Sequence, residues 1–151
     1  MENNTIKYKN CFKPGAIIPD FIADSIAKHQ SKIGIGAHQI FLGQVREDEI
    51  DGKKVQAIEY SAYEEMANKV FHEIREEAYS KFELTCMHIY HSIGVVKKGE
   101  ICLFVFVSSK HRKSALQAIE YVVEEIKLKA PVFGKEIFEN QEYVWKENKF
   151  D

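Results

Sequence analysis

The densest group of chemically active side chains lies at residues 107–113, which read VSSKHRK, where an apolar run gives way to a helical pattern. Ser109 is a candidate N-cap, and three cations and a histidine follow it. The first turn of a helix favours acidic side chains, so each cation there costs roughly a few tenths of a kcal/mol. Free backbone NH groups and cations converging at one point would bind an anion such as phosphate. The segment therefore predicts an anion site, with a solvated basic turn as the alternative.

Two further cations stand where they could serve the same chemistry. Arg46 follows the apolar run 41–45 and opens a polar loop, and proteins often mount functional side chains at such rigid edges. Lys127 lies near the far end of the helix predicted to begin near residue 110, where the helix dipole favours a cation. Taken alone, each also has a structural explanation, which is surface decoration for Arg46 and favourable charge placement for Lys127.

The cysteines and histidines form no recognisable metal motif. Cys11, Cys86 and Cys102 are odd in number and widely spaced, and two of them lie in apolar, strand-like runs. This usage predicts reduced, buried thiols. The sequence contains no CxxC pair, no HExxH and no other spacing typical of metal ligands, so we expect no metal site.

Composition and charge narrow the class of protein. The chain has 151 residues, of which 45% are hydrophobic and 29% charged, with a formal net charge of −2. This predicts one domain over residues 1–151 with a substantial core, and it disfavours nucleic acid or an anionic membrane as a partner. The opening residues lack the pattern of a secretory signal, and no apolar run reaches membrane-spanning length. We therefore expect a cytoplasmic protein.

Periodicity and turn residues predict the elements that must position these side chains. Apolar residues at helical spacing predict helices over 19–32, 64–82 and 110–129, the second with a stripe that includes Met66, Phe71 and Ile74. Runs rich in β-branched and aromatic residues predict strands at 36–43, 55–60, 84–91, 101–107, around 137 and at 143–145. Asp51-Gly52 predicts a turn, and a second turn is expected over 94–99. Helices and strands that do not alternate strictly predict an α+β fold.

Together these segments resemble the large-subunit family of molybdopterin synthases, known as MoaE. The matching pieces, in order, read FLGQVR (41–46), IEYSAYEEMA (58–67), HSIG (91–94), KGE (98–100), VSSKHR (107–112), Lys127 and APVFGKE (130–136). Their order and spacing, over residues 36–145, make the resemblance specific.

The resemblance implies an α/β hammerhead-like domain with additional antiparallel strands, and a sulfurtransferase reaction. Cyclic pyranopterin monophosphate would receive two sulfurs and become molybdopterin, in molybdenum-cofactor biosynthesis. The sulfur would arrive as a thiocarboxylate on the C-terminal tail of a small ubiquitin-like carrier subunit, MoaD-like, which threads into the large subunit. The family needs no metal or other cofactor for this step.

The resemblance also implies roles for individual residues. Lys127 would be the essential active-site lysine, with Lys135 as a second catalytic candidate. Substrate would be bound by Gln44, Val45, Arg46, His111, Arg112, Gly134, Lys135 and Glu136. A lysine near the pocket can stabilise developing negative charge or transfer protons as the thiocarboxylate attacks.

Two positions depart from the family pattern. The first lysine after the aromatic residue of the APVFGKE segment, itself a catalytic candidate in the family, is Gly134 here. Either Lys135 takes that role or the role is weakened. The arginine that usually follows the histidine of the HSIG segment is Ser92. A non-catalytic MoaE-like module that binds a carrier tail or a small anion is therefore the alternative function.

The predicted helix has one geometric consequence. If residues 110–129 form one helix, Arg112 and Lys127 lie roughly 22 Å apart at 1.5 Å per residue, too far for one small pterin to touch both within a subunit. A site that uses both must join two chains, most simply in a two-fold homodimer. With one carrier per large subunit, the assembly would be a heterotetramer.

Overall fold

The apolar periodic segments form three helices, and the β-branched runs form strands of one sheet. A computed structural model describes residues 7–140 and 142–146 of the chain. The elements, in chain order, are β1 Phe12–Pro14, α1 Pro19–Gln30, β2 Ala37–Gln44, β3 Glu49–Ile50, β4 Lys53–Ala62, α2 Glu64–Lys81, β5 Cys86–Lys97, β6 Ile101–Ser109, α3 Arg112–Lys129, β7 Val132–Phe138 and β8 Tyr143–Trp145. All three helices predicted from the sequence are present, with ends that differ by up to two residues.

The strands form a sheet in the order β2-β6-β5-β4-β7-β8, with β3 paired to β4 and β1 paired to β5. Every pairing is antiparallel except that of β1 with β5. The predicted α+β class is confirmed, as is the predicted neighbour relation of β5 and β6. No helix in the part of the chain that the structure describes is both long and apolar enough to cross a membrane.

Strand β6 is central and buried on both faces, which explains its continuous apolar run. Leu103, Val105 and Val107 pack in the core cluster that also contains the buried faces of α2 and α3. Phe104 and Phe106 point the other way and pack against Ile22 of α1. One half of the sheet is therefore sandwiched between α1 on one face and the α2–α3 pair on the other.

The Asp51-Gly52 turn predicted from the sequence is confirmed. Both residues have positive φ, 54° and 77°, and they form the two-residue connection between β3 and β4, as in a type I′ hairpin. The polar segment after Arg46 thus contains a short hairpin rather than an unstructured loop.

Gly94 does not lie in a turn, contrary to the prediction. It lies within β5 with φ 89°, at the point where β5 stops pairing with β6 and starts pairing with β4. A positive φ costs glycine little, so the strand can change neighbours there and continue to Lys97. The turn itself falls at Lys98 and Gly99.

Helix α3 begins later than predicted, and Ser109 is not its N-cap. Ser109 still pairs with Ala37 as the last residue of β6, so its backbone is extended, and its hydroxyl donates to the carbonyl of His111. His111 occupies the N-cap position without a capping side-chain bond. The stripe on α2 is also displaced, because Met66 is 58% exposed whereas Ala67 is buried.

Candidate active site

A cavity of about 260 Å³ opens where the C-terminal end of α3 meets β2, β4 and β7. Its lining comes from six elements and the segments that follow α3 and β8: Phe41, Gly43, Gln44, Ile58, Tyr60, His91, Cys102, Ile126, Lys127, Leu128, Ala130, Val132, Phe133, Gly134 and Lys146. We call it the lysine pocket. Most of the lining residues have apolar side chains, and the polar side chains of Gln44, Tyr60, His91, Lys127 and Lys146 come from distant parts of the chain.

Lys127 lies on the last turn of α3, which ends at Lys129, two residues before Pro131. The helix stops there because proline has no NH to continue it and disfavours the helical conformation of the residue before it. The residue as a whole is exposed, but its side chain lines the pocket, and burial of the ammonium group lowers its pKa below the ordinary value of 10.5. The neighbouring Cys102 opposes this shift, and the positive charge of Lys146 adds to it.

His91 lies beneath this lysine and is 4% exposed. Its Nδ1 donates to the carbonyl oxygen of Ser92 at 2.8 Å, and its ring centroid lies 5.0 Å from that of Tyr60. Burial lowers the pKa of His91 to about 4, and the charge of Lys127 contributes in the same direction. The imidazole is therefore neutral at pH 7.

Tyr60 and Cys102 complete the floor of the lysine pocket. Burial raises the pKa of Tyr60 well above its ordinary range, and the neighbouring Cys102 and Glu136 add to this effect. The Cys102 thiol donates to the carbonyl of Gly43 at 3.4 Å. All three cysteines are free and buried, as predicted.

A second cavity of about 280 Å³ adjoins the lysine pocket and shares Lys146 with it. It is lined by Arg46, Asp48, Ile50, Glu136, Val144, Trp145 and Lys146. We call it the arginine pocket. Arg46 Nη2 contacts Asp48 Oδ2 at 3.3 Å, and the arginine side chain is 71% exposed.

The end of β2 serves both pockets. A register shift between Gly43 and Gln44 marks an irregularity in the pairing with β6. Gln44 then lines the lysine pocket, Val45 is buried with its NH donating to the carbonyl of Glu100, and Arg46 lines the arginine pocket. Gln44, Val45 and Arg46, which were predicted to bind substrate, thus follow one another along the boundary between the two cavities.

Glu136 lies on the wall of the arginine pocket and is 7% exposed. Its Oε2 has no hydrogen-bond partner among the described residues. A buried carboxylate oxygen without a partner is costly, so this atom is available to a ligand that offers a donor.

Gly134 and Lys135 lie on opposite faces of β7, because successive residues of a strand alternate faces. Gly134 pairs with Tyr60 and lines the lysine pocket. Lys135 pairs with Glu59, with Nζ 2.9 Å from Oε1 and 4.6 Å from the centroid of the Tyr143 ring. Lys135 is therefore not brought together with Lys127 within the described chain.

The space beside Gly134 is tight. A Cβ added at this glycine would lie 3.0 Å from Ile58 Cγ2 and 3.4 Å from Tyr60 Cε1. A lysine at this position, as in the family pattern, would require Ile58 to shift by a few tenths of an ångström, whereas the distance to Tyr60 is an ordinary contact. The glycine and its two neighbours thus fit one another as a set.

His111 and Arg112 lie exposed at the opposite end of α3 from Lys127, and neither lines the two pockets. Their position is fixed by Gly36, whose NH donates to the carbonyl of Ser109 and whose added Cβ would lie 2.2 Å from the Lys110 carbonyl oxygen. One chain thus separates the predicted site residues into two groups.

Sequence reasoning assigned no role to Tyr60, His91, Cys102 or Lys146. Tyr60 and His91 lie in the matching segments, but the sequence around them does not show that they are buried or that they lie near Lys127. Cys102 was expected only to be a buried thiol. Lys146 follows a short strand near the C-terminal end, and only the pairing of β8 with β7 brings it to the cavities.

A helix-flanked, mostly antiparallel sheet with a lysine in one cavity and an arginine in the next makes this an α+β domain with a cationic pocket. The family model described as MoaE protein matches residues 19–129. The chain belongs to the MoaE family.

Relatives and solved structures agree with this assignment. A molybdopterin synthase catalytic subunit from Pyrococcus abyssi is 38% identical over 124 residues, which is 82% of this chain and 83% of the relative. Molybdopterin synthase catalytic subunit 1 of Aedes aegypti is 38% identical over 129 residues, 83% of this chain and 81% of the relative. Such subunits are sulfurtransferases of molybdenum-cofactor biosynthesis.

The crystal structure of molybdopterin synthase from Staphylococcus aureus matches with a TM-score of 0.77 and 32% identity, covering 90% of this chain and 95% of that one. A complex of subunits 1 and 2 of molybdopterin-converting factor from Helicobacter pylori matches with a TM-score of 0.77 and 22% identity, covering 92% of both chains. The second likeness concerns the fold.

Proposed function

We propose that this chain is the catalytic subunit of a molybdopterin synthase that acts in the cytoplasm. It would transfer two sulfurs from the thiocarboxylated C-terminus of a small ubiquitin-like, MoaD-like carrier to cyclic pyranopterin monophosphate. The observation that carries the proposal is Lys127, a lysine of lowered pKa that lines a pocket between α3 and the sheet, in a chain of the MoaE family. Residues 1–151 would act as one domain.

Lys127 is the group we assign to the chemistry. Attack by a thiocarboxylate on the pterin side chain develops negative charge, and a partly buried ammonium group stabilises such charge more strongly than one in bulk water. The neighbouring His91 is neutral and does not compete for the anion. A lysine with a lowered pKa also exchanges a proton more readily near neutral pH.

The arginine pocket is suited to the anionic end of the substrate. Arg46 would bind the phosphate through its guanidinium group, and Gln44 and Glu136 would contact the pterin. Because the two cavities share Lys146, a ligand that extends from one to the other would meet Lys127 and Arg46 together. Val45 and Gly134 shape the walls between them.

His111 and Arg112 would come from a second copy of the chain. The length of α3 supports this assignment, because it keeps these residues away from Lys127 of their own subunit. A two-fold homodimer with one carrier per catalytic subunit gives a heterotetramer. The Helicobacter pylori structure, a complex of subunits 1 and 2 of molybdopterin-converting factor, supports an assembly of two kinds of subunit.

A non-catalytic binding module is the second candidate, and Gly134 is the observation that favours it. Ile58 crowds the position where a lysine side chain would begin, and Lys135 is paired with Glu59. A chain with one fewer pocket lysine could still bind the carrier tail and leave the precursor unchanged.

Sulfur transfer itself is the test. Purified protein, thiocarboxylated carrier and cyclic pyranopterin monophosphate are mixed, and molybdopterin formation is followed for wild type, Lys127→Ala and Lys129→Ala. Lys129 is the matched control, since it lies two residues away on the same helix and pairs with Glu125. We expect product from wild type and Lys129→Ala, and a loss of about 100-fold or more in Lys127→Ala.

Absence of product from wild type, with the carrier bound and an established synthase active in parallel, would support the non-catalytic module. Equal activity in all three proteins would remove Lys127 from the chemistry while leaving the sulfurtransferase assignment in place.

A further inference from the structure

A separate cluster of reactive side chains lies outside both pockets, on the sheet face covered by α1. His29, Cys86 and His88 each offer one ligand atom, and these three atoms lie within 4.8 Å of one another. Cys86 and His88 are two residues apart on β5 and so share a face. His29 comes from the last turn of α1. The fold therefore assembles three donor side chains that are far apart in the sequence.

Hydrogen bonding fixes which nitrogen His29 presents. Its Nδ1 lies 2.7 Å from the carbonyl oxygen of Ser25, and because a carbonyl only accepts, Nδ1 carries the proton. In the neutral ring, Nε2 then offers a lone pair, and it lies 3.0 Å from Nε2 of His88. Histidines that bind metals are commonly held this way, with the other ring nitrogen donating to a carbonyl.

Packing holds the two rings in place. The His29 ring lies 4.6 Å from the centroid of Phe106 and 4.9 Å from that of His88. Phe106 is fully buried in the centre of the sheet. The donors therefore stand on a rigid element, which reduces the conformational cost of ligand binding.

A lysine contacts the third donor. Lys32 Nζ donates to Cys86 Sγ at 2.8 Å. Metals bind cysteine as the thiolate, so an ion that takes this sulfur would displace the lysine.

We propose that His29, Cys86 and His88 form a binding site for a late first-row transition metal ion such as Zn²⁺, with a fourth position open to water. Two imidazole nitrogens and one thiolate are a donor set that this ion prefers. Bonds of about 2.0–2.1 Å to nitrogen and about 2.3 Å to sulfur put neighbouring ligands roughly 3.3–3.6 Å apart. Because the three atoms lie within 4.8 Å of one another, the cluster needs to contract by at most about 1.5 Å at its longest edge.

Binding would rearrange two hydrogen bonds. The proton on His88 Nε2, which faces His29, would move to Nδ1 of the same ring, so that both rings stay neutral. The thiol proton of Cys86 would leave to solvent, and Lys32 would move off the sulfur. Lys9, Lys32 and Arg75 carry like charge near the site and oppose the metal, whereas the thiolate charge favours it. The occupied site would join the end of α1 to the start of β5 and so stabilise the folded chain.

The test uses the full chain, treated with a chelator and then titrated with Zn²⁺ against a coloured competitor and with Co²⁺ as a spectroscopic probe. We expect one equivalent of metal, a thiolate-to-cobalt charge-transfer band and the strong visible bands of tetrahedral Co²⁺. Cys86→Ser and His88→Asn should each weaken binding at least about tenfold. Cys11→Ser, which removes another buried cysteine, should leave binding unchanged.

Thermal unfolding provides a second readout. Zn²⁺ should raise the melting temperature of wild type and of Cys11→Ser but not that of Cys86→Ser. If Cys86→Ser does not fold, His29→Gln at the half-buried helix end serves in its place. Less than one equivalent bound to wild type, or binding unchanged in both ligand variants, would overturn the proposal and leave the His29–His88 contact as a hydrogen bond only.

Discussion

Arg112 and Lys127 lie at opposite ends of one uninterrupted helix, α3, and are therefore roughly 22 Å apart along its axis. Lys127 lines the lysine pocket, and Arg112 is exposed at the start of α3. A substrate the size of a pterin monophosphate touches both only if the two residues come from different chains.

Mixing two single variants tests this arrangement. In a homodimer that shares its sites, a hybrid of Arg112→Ala with Lys127→Ala contains one site in which both residues are intact and one in which both are lost. We expect such hybrids, purified through two different tags, to recover about half of the wild-type activity. Each parent homodimer should be nearly inactive in the sulfur-transfer assay.

The matched control is a hybrid of a wild-type chain with a chain that carries both Arg112→Ala and Lys127→Ala. It contains the same two substitutions, but both lie on one chain. In a shared-site dimer each of its two sites lacks one residue, so it should be nearly inactive. Sites formed within one chain give the reverse result, with activity in this control and none in the hybrid of single variants.

The lowered pKa of Lys127 predicts a pH dependence. If the ammonium form acts on the developing anion, activity falls as pH rises through the pKa of Lys127, which burial holds below 10.5. Lys127→Arg keeps the charge over this range, so whatever activity it retains should lack that alkaline decline. Lys129→Arg should keep the wild-type profile. A decline that persists unchanged in Lys127→Arg would assign it to another group.

Lys135 stays a prediction as the second catalytic lysine, and its ion pair with Glu59 offers a way to test it. Catalysis by Lys135 requires this pair to open, so Glu59→Gln should maintain or raise activity and Lys135→Ala should lower it. Full activity in Lys135→Ala would show that Lys135 has no catalytic role, and Lys127 would then be the remaining catalytic candidate of the two lysines.

The sequence was informative wherever local pattern and tertiary structure agree. The β6 run was recognisable because a strand buried on both faces is apolar throughout, and Asp51-Gly52 was recognisable because few other pairs adopt two positive φ angles. Proline at 131 correctly predicted the end of α3. In each case the signal lies within a few residues.

Features that depend on pairing between distant strands could not be predicted in the same way. Ser109 has the right residue type for an N-cap, but its pairing with Ala37 keeps it in β6. Gly94 was expected in a turn, although it marks the place where β5 exchanges β6 for β4. The site shows the same limit, because His91, Tyr60 and Lys127 meet only after β4, β5 and α3 have packed.

Gly36 should tolerate no side chain. A Cβ there would lie 2.2 Å from the Lys110 carbonyl oxygen, whereas one at Gly34 would meet nothing within 4 Å. We expect Gly36→Ala to lower the free energy of unfolding by about 1–3 kcal/mol, and Gly34→Ala to change it by less than about 0.5 kcal/mol. Urea denaturation of both variants measures the difference. Equal effects would show that the approach of β2 to the start of α3 is less tight than described.

His91 predicts how stability changes with acid. Its pKa falls from an ordinary value of 6.5 to about 4 on burial, so between these two pH values the unfolded chain binds a proton that the folded chain does not. Stability therefore decreases as pH falls from 6.5 towards 4, by up to about 3 kcal/mol for this residue, and His88 acts in the same direction. Unfolding free energies measured at pH 7.5 and 5 should accordingly differ less in His91→Gln than in wild type. His111→Gln, at the exposed start of α3, should keep the wild-type difference between the two pH values. If His91→Gln also kept that difference, the His91 imidazole would be protonated in the folded state.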